Sequence, residues 1–166
     1  ALAGMQHIGA VSAKKHFNIS AETLVITCGY SGSPNQQHSA IINALRHACK
    51  LPKNHLVVFP MTYGGNIEYK LQVEQAICES GLNFRILKQF LSDQEIALWR
   101  KATDIFIQVQ HTDAFSGSMQ EHLFCGNIVI TGSWLPYQEL KNKGIEFFEI
   151  DTINEISKTI DRIIPA

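Results

Sequence analysis

The sequence contains no apolar run that approaches the roughly 20 residues of a membrane-spanning helix. Its first residues show no apolar core of the kind found in signal peptides. It also lacks an excess of charge of either sign, since the formal net charge is −1 over 166 residues. A near-neutral balance gives no argument for nucleic acid or an anionic membrane as a partner. We therefore expect a cytoplasmic protein that binds no nucleic acid and contacts membranes only peripherally.

Cysteine is sparse, and no two cysteines have the spacing of a metal or redox motif. The four cysteines are Cys28, Cys49, Cys78 and Cys125. Dispersed cysteines in a cytosolic chain are expected to be reduced and to behave as small, buried hydrophobic residues. The sequence also lacks internal repeats and low-complexity tracts, and its length indicates about one domain.

Segments with strand-like and helix-like patterns alternate regularly along the chain. Short runs of β-branched and aromatic residues predict six strands, at 24–28, 56–59, 84–87, 105–109, 128–131 and, more weakly, 146–150. Amphipathic or capped segments predict helices at about 36–50, 67–79, 92–102 and 119–124, with a terminal helix from 152. This alternation is typical of α/β proteins with a Rossmann-like, doubly wound parallel sheet of about six strands. Residues 1–20 predict a linker or a short N-terminal helix, and 21–166 form the predicted domain.

One stretch, 102–132, combines a strand, a polar loop, a short helix and a second strand. Ligands of open parallel sheets bind beside the carboxyl ends of the strands, where this loop begins. Ser116, Gly117 and Ser118 stand at the predicted helix start, where backbone N–H groups suit an anion, although such residues suit any helix start. We therefore predict the functional site here, and expect the loops after the first three strands to share the same edge.

Within this stretch, Asp113 and Glu121 are eight positions apart, and residues 114–117 read Ala-Phe-Ser-Gly. The pattern resembles the donor-binding motif of the retaining glycosyltransferases of family four, which have the GT-B fold; the family has Glu and Gly where this chain has Asp113 and Ala114. The resemblance implies that Asp113 is catalytic and stabilises positive charge at the anomeric carbon. It also implies that Glu121 accepts hydrogen bonds from ribose hydroxyls. From the residues alone, Asp113 is as well explained as a turn residue, and Glu121 as the acceptor of a capping box opened by Ser118.

Two other segments carry a second resemblance. The residues Ser31-Gly32 with Asn35 and His38, and Pro60-Met61-Thr62-Tyr63 with Asn66 and Tyr69, are similar to blocks of the TDP-N-acetylfucosamine:lipid-linked saccharide transferases. The two resemblances together cover about 24–164. The donor-binding residues that they imply are Tyr30, Ser31, Gly32, Ser33, His38, Tyr63, Gly64, Gly65, Gln89, Leu91, Phe115, Ser116, Gly117, Ser118 and Glu121.

The first loop, 29–35, has neither the Arg nor the Lys that family four places against the diphosphate. Ser31, Ser33 and backbone N–H groups would then hold a phosphate as a nest. His38 either supplies a positive charge or is a solvated cap at a helix start. Gly64 and Gly65 allow either the close approach of a ligand or simply a turn.

The resemblances imply the C-terminal, donor-binding half of a GT-B glycosyltransferase. Such an enzyme transfers a sugar from a nucleotide-sugar, here of UDP or TDP type, to a saccharide or lipid-linked acceptor held by an N-terminal domain. Surface polysaccharide biosynthesis at the inner face of the membrane is the implied setting. No cofactor or metal is expected, because the families named need none and His111, Asp113 and His122 lack a ligand spacing.

Taken by itself, the chain is expected to bind a nucleoside diphosphate weakly and to transfer no sugar. Two alternatives to a transferase half remain open at this point. One is half of a sugar-nucleotide epimerase. The other is a non-catalytic or degenerate nucleotide-sugar-binding module, which the missing Arg and Lys favour.

Overall fold

The computed structural model describes residues 2–113 and 116–165, with side chains from residue 9 onward. The described residues form one sheet of six strands: β1 (Leu24–Cys28), β2 (His55–Pro60), β3 (Phe84–Leu87), β4 (Ile105–Gln108), β5 (Ile128–Gly132) and β6 (Phe148–Ile150). The strands lie in the order β3-β2-β1-β4-β5-β6, and each neighbouring pair is parallel. The predicted doubly wound parallel sheet is therefore confirmed.

The same residues form seven α-helices: α1 (Leu2–His16), α2 (His38–Leu45), α3 (Ile67–Glu79), α4 (Asp93–Ala102), α5 (Gly117–Phe124), α6 (Gln138–Asn142) and α7 (Ile156–Ile163). No helix in this described part is both long and apolar enough to cross a bilayer. Local chemistry sets several helix ends. Ser92 and Glu95 form a capping box at the start of α4, and Gly126, at φ +78, follows α5 as a left-handed glycine.

Strand residues alternate between two apolar layers. Ile26 and Val57 point to one face, where they pack with buried side chains of α2, α3 and α7. Val25 and Val58 point to the other face and pack with α1 and α4. Phe106 belongs to a third cluster on that second face, formed with α5 and α6. The sheet is thus covered on both sides, as a parallel sheet requires.

Some helix boundaries differ from those that the sequence pattern predicts. Helix α2 ends at Leu45 rather than near residue 50, because the following chain turns towards α7. There the carboxylate of Asp161 accepts hydrogen bonds from the backbone N–H groups of Cys49 and Lys50, at 3.0 and 2.8 Å. Near the N-terminus, residues 2–16 form a 15-residue helix rather than a short one. Its Lys14 ammonium lies 2.8 Å from the carboxylate of Asp104.

The prediction that all four cysteines are buried is confirmed only for Cys28, since Cys125 is partly buried and the other two are exposed. Cys28 is fully buried on β1, and burial raises the pKa of its thiol. Cys78 is exposed because α3 buries Val73 and Ile77 on its other face, and Cys49 is exposed in the segment that follows α2. All four are free thiols.

Candidate functional site

The candidate site lies at the carboxyl ends of β1 and β4, where the strand order reverses. In open parallel sheets, such a switch point leaves a crevice between the loops that follow the two strands, and ligands bind there. The two loops span 29–37 after β1 and 109–116 after β4. Residues 61–66 after β2 and 88–92 after β3 flank them on the same edge. All four loops therefore face one side of the molecule.

Three backbone N–H groups of the loop after β1 already have protein acceptors. The N–H of Tyr30 donates to Gln36 Oε1 at 3.1 Å, and that of Ser33 donates to Ser31 Oγ at 3.3 Å. The N–H of Gly32 donates to the carbonyl of Tyr63 at 2.7 Å. The predicted phosphate nest therefore lacks three of the donors on which it depended.

Hydrogen bonds from Asn35 link the first loop to the loop after β4. Its side-chain N–H donates to the Thr112 carbonyl at 3.0 Å, and its Oδ1 accepts from the Thr112 N–H at 3.3 Å. The Asn35 carbonyl accepts from the backbone N–H of His111 at 3.0 Å. These three hydrogen bonds hold the first loop against the loop after β4, although Asn35 and Thr112 are 77 residues apart in sequence.

The glycines of the first and second loops pack against each other. A Cβ on Gly32 would lie 2.6 Å from the carbonyl oxygen of Gly64, and one on Gly65 would lie 2.1 Å from that of Gly32. Gly64 and Gly65 also have φ angles of +76 and +71, which favour glycine. The close backbone approach that these residues suggested is thus an approach of one loop to the other.

His38 is fully buried at the start of α2, so it is not a solvated cap. Its Nε2 lies 2.9 Å from the Ser31 carbonyl and its Nδ1 lies 2.6 Å from the Tyr69 hydroxyl. Burial lowers the pKa of His38 to about 4, against a smaller opposing contribution from the Ser31 carbonyl. The imidazole is therefore neutral at pH 7. The prediction that it supplies positive charge is wrong, and its contacts instead hold the first loop on α3.

Asp113 lies in the loop after β4 and faces the first loop. Its Oδ2 accepts hydrogen bonds from the Ser116 N–H at 2.9 Å and from Gln108 Nε2 at 3.3 Å. The pKa of Tyr30 is raised, mainly by burial and then by the negative charge of Asp113 and by Tyr63. Tyr30, Tyr63 and Asp113, from three different loops, therefore surround one space. The bond to Ser116 also gives Asp113 the turn geometry that its residue type suggested.

Helix α5 begins differently from the predicted capping box. Ser116 is the N-cap residue and accepts a hydrogen bond from the Met119 N–H at 3.3 Å. With Ser116 as the N-cap, the capping-box position is Met119 and Glu121 lies two residues beyond it, so the capping interpretation of Glu121 is wrong. Its half-exposed carboxylate instead lies 3.0 Å from Nε of Arg100 on α4.

Arg100 is a cation that the sequence motifs did not reveal. Its Nη2 donates to Ser118 Oγ at 2.8 Å, and its side chain is only 13% exposed. The guanidinium therefore lies beside the N-terminal turn of α5, 18 residues away in sequence from Ser118. No local pattern on α4 separates this arginine from an ordinary solvated one.

A cleft connects these groups. Its lining includes residues from the loops after β1, β2 and β3 and from α4 and α5: Tyr30, Thr62, Tyr63, Phe90, Leu91, Trp99, Arg100 and Ser118. The rings of Tyr63 and Phe90 are nearly parallel, at 14°, with centroids 6.4 Å apart. A larger, more open depression lies between α6 and the amino ends of β5 and β6. We assign the site to the smaller cleft, because the carboxyl edge carries the convergent polar groups.

The remaining predicted residues lie around this cleft rather than in it. Gln89 is exposed and does not line it, whereas its neighbours Phe90 and Leu91 do. Gly117 lies at the first turn of α5. Phe115 lies outside the described residues. Phe90 was missed because a single exposed aromatic residue in a loop has no distinctive pattern.

Beneath Asp113, a buried amide and a buried phenol form a small polar network. Gln108 Nε2 donates to Asp113 Oδ2 and to the Tyr137 hydroxyl, and it also lies 3.8 Å from Met119 Sδ. The Ser116 N–H is shared between Asp113 Oδ2 and the Tyr137 hydroxyl, the latter at 3.4 Å. Gln108 Oε1 is buried and has no partner among the described residues. Leaving such an oxygen unpaired costs roughly 1–3 kcal/mol.

Comparisons with known proteins identify the fold. No known family profile matches the sequence, and no curated protein matches it. The C-terminal domain of the glycosyl transferase group 1 protein LpcC from Francisella tularensis superposes with a TM-score of 0.75 at 17% identity, covering 93% of this chain and 81% of that one. Anabaena HepE in complex with UDP and glucose gives 0.77 at 19% identity, covering 93% of this chain and 42% of HepE.

Sucrose-phosphate synthase from Thermosynechococcus elongatus superposes with a TM-score of 0.73 at 15% identity, covering 92% of this chain and 39% of that one. The chain thus spans about four tenths of HepE and of the synthase, but most of the isolated LpcC domain. These likenesses, with the strand order and the switch-point cleft described above, show that the chain has the fold of the C-terminal domain of a GT-B glycosyltransferase.

Proposed function

We propose that this chain is the donor-binding half of a glycosyltransferase that takes its sugar from a nucleoside diphosphate sugar. The observation that carries the proposal is the cleft at the β1/β4 switch point. It combines aromatic rings at one end with Arg100 and the N-terminus of α5 at the other. A nucleoside diphosphate sugar has complementary groups in the same order, with a planar base at one end and a dianionic diphosphate further along. Among the structures of similar fold are two of HepE, one in complex with UDP and glucose and the other in complex with UDP-glucose.

The aromatic end suits the base. Tyr63 and Phe90 present nearly parallel rings whose side chains are 49% and 76% exposed. Exposed aromatic residues side by side are costly to leave in water, and a nucleobase stacks on such a ring by about 1–3 kcal/mol. Glu121 lies beside Arg100, 3.0 Å from its Nε, and we propose that it accepts hydrogen bonds from the ribose between the two ends.

The polar end suits the diphosphate. Helix α5 begins at Gly117, and the N-terminal turn of a helix favours a negative charge. Arg100 adds a full positive charge beside Ser118. This cation lines the same cleft as Tyr30 of the first loop and so partly replaces the Arg and Lys that the first loop lacks. Because Arg100 already neutralises Glu121, we expect binding of the isolated diphosphate to be weak.

The sugar then extends towards Asp113, the proposed catalytic residue. A carboxylate beside the anomeric carbon stabilises the positive charge that develops there as the bond to the diphosphate breaks. The acceptor, a saccharide or lipid-linked saccharide of surface polysaccharide synthesis, would be held by a separate N-terminal domain across the cleft. Proton transfer and closure around the donor would also come from that domain.

Titration calorimetry of the chain with UDP, TDP, GDP and inorganic pyrophosphate tests the proposal. We expect at least one nucleotide to bind more tightly than pyrophosphate. Phe90→Ala should weaken nucleotide binding about tenfold or more, since stacking on an aromatic ring contributes about 1–3 kcal/mol, and should leave pyrophosphate unaffected. Phe124→Ala is the matched control, because Phe124 is 89% exposed at the end of α5 and lies outside the cleft. Equal effects of the two substitutions, or no nucleotide preference, would contradict the proposal.

A second candidate function is a nucleotide-sugar-binding module without transferase activity. The neutral His38 and the occupied N–H groups of the first loop favour it, because both remove contacts that a diphosphate leaving group needs. Assays of donor hydrolysis and of sugar transfer, with and without the rest of the protein, separate the two candidates. We expect no turnover by this chain alone and turnover by the longer protein. Multiple turnovers by the 166-residue chain would refute its description as half of an enzyme.

A further inference from the structure

The β4 strand contains a buried polar residue that its position does not require. Residues 105–108 read Ile-Phe-Ile-Gln, and all four are buried. Gln108 faces the same side as Phe106, where a leucine would fill the space with no polar atom to satisfy. Instead, its NH₂ group contacts three acceptors, and Oε1 has no partner among the described residues. A buried group that is half satisfied needs an explanation beyond packing.

The partners of Gln108 supply that explanation. Two donors, Gln108 Nε2 and the Ser116 N–H, each contact the same two acceptors, Asp113 Oδ2 and the Tyr137 hydroxyl. Tyr137 is 2% exposed and comes from the loop after β5, just before α6. One carboxylate oxygen of Asp113 is thus held directly by groups on β4 and at the start of α5, and Tyr137, on a third loop, contacts both of those donors.

The presence of the carboxylate also fixes which way the Gln108 amide points. If the amide were reversed, its oxygen would face an acceptor-only carboxylate oxygen, which repels it. The observed orientation turns the NH₂ group to Asp113 and Tyr137 and leaves the oxygen unpaired. The Gln108 amide therefore donates to Asp113, and as a result its own oxygen has no hydrogen-bond donor among the described residues.

We infer that Gln108 and Tyr137 are positioning residues that hold the carboxylate of Asp113 towards the sugar of the donor. The inference rests on the proposed function in one respect, namely that the ligand beside Asp113 is the sugar of the donor. The geometry of the network is independent of any ligand. Neither residue belongs to the motifs that suggested Asp113 and Glu121, and Tyr137 lies 29 residues from Gln108 in sequence.

Three variants test the role: Gln108→Leu, Tyr137→Phe and, as a matched control, Thr131→Val. Thr131 lies beside Gln108 on β5 and has a buried hydroxyl that, like Gln108 Oε1, has no partner in the described chain. Removing that hydroxyl therefore changes the polarity of the same region without touching Asp113. Each replacement keeps the side-chain volume nearly constant, so the variants are expected to fold.

The first readout is hydrogen exchange of the Ser116 amide, which needs no ligand. Gln108→Leu should lower its protection about tenfold, because Asp113 is then free to leave the Ser116 N–H. Tyr137→Phe should lower it less, and Thr131→Val should leave it unchanged. Unchanged protection in both Gln108→Leu and Tyr137→Phe would overturn the inference, whatever the protein binds.

The second readout is the ratio of UDP-glucose to UDP affinity. Asp113→Asn should change this ratio, and Gln108→Leu and Tyr137→Phe should change it in the same direction by at least threefold, with UDP affinity itself constant. A purely structural role would weaken both ligands equally and lower the melting temperature. If Asp113→Asn shifts the ratio and the other two variants do not, the positioning role is refuted. If no nucleotide binds to the unmodified chain, the proposed function fails, and the exchange experiment alone decides the positioning role.

Discussion

Replacing Gly65 by alanine should weaken nucleotide binding at least tenfold. A Cβ at this position would lie 2.1 Å from the carbonyl oxygen of Gly32, which is backbone and cannot simply rotate away. The second loop must therefore move off the first. Tyr63, which lines the cleft, lies two residues earlier and accepts the Gly32 N–H through its carbonyl, so both loops would be displaced. Calorimetric titration with the tightest-binding nucleotide measures the loss.

Gly81→Ala is the matched control for this substitution. Gly81 has φ +79, close to the +71 of Gly65, but a Cβ there meets nothing within 4 Å. Both alanines bear the cost of a left-handed backbone, about 1–2 kcal/mol, which corresponds to a fall of roughly 2–8 °C in melting temperature for a chain of this size. Only Gly65→Ala should lose nucleotide binding. Equal affinities in the two variants would show that the contact between the loops does not shape the cleft.

Acid should destabilise the protein through His38. Burial lowers the pKa of His38 to about 4 in the folded state, whereas a histidine in the unfolded chain has a pKa near 6.5. The unfolded state therefore binds a proton more readily. The stability that the neutral His38 contributes is complete above about pH 6.5 and is lost as the pH falls from 6.5 towards 4.

Between pH 7 and pH 5 this linkage amounts to about 2 kcal/mol, at roughly 1.4 kcal/mol per pH unit below 6.5. Urea denaturation of the wild-type protein and of His38→Gln at both pH values measures it. The amide of glutamine can still donate to the Ser31 carbonyl and accept from Tyr69, but it does not titrate. The variant should lose about 2 kcal/mol less than the wild type on acidification. An identical pH dependence would show that the pKa of His38 does not differ between the folded and unfolded states.

His122 is expected to add to the acid sensitivity of the wild type. Its pKa is lowered well below the ordinary value, first by burial and then by the positive charge of Arg100. Its ring stacks on Phe106, with centroids 3.9 Å apart. The residual pH dependence of His38→Gln should therefore be in the same direction as that of the wild type.

The sequence by itself determined the class of fold. Runs such as Leu24–Cys28 and Ile128–Gly132, rich in β-branched residues and separated by amphipathic segments, predict buried parallel strands because only both-face burial suits them. The capping box at Ser92 and Glu95 likewise depends on residues three apart, so it was predicted correctly. The end of α2 was not predicted correctly, because the segment after it is held by Asp161, more than 100 residues away in sequence.

The site was only partly predictable. The position of the motif beside the carboxyl end of β4 follows from the sequence, because any loop after a parallel strand must lie on that edge. The burial of His38 does not, since it requires Tyr69 and the Ser31 carbonyl to approach from two other segments. Its residue type at a helix start fitted a charged cap equally well, and that interpretation was wrong.

Tertiary structure alone decided which side chains meet. The strand order places β1 beside β4 and so brings the first loop to Asp113, a pairing that periodicity cannot specify. Arg100 reaches Ser118 because α4 and α5 pack on the same face of the sheet. Gln108 meets Tyr137 because the loop after β5 folds back under β4. Local residue patterns fix each strand and helix through short-range backbone chemistry, but contacts between distant segments depend on how all the elements pack together, and no single stretch of sequence contains that information.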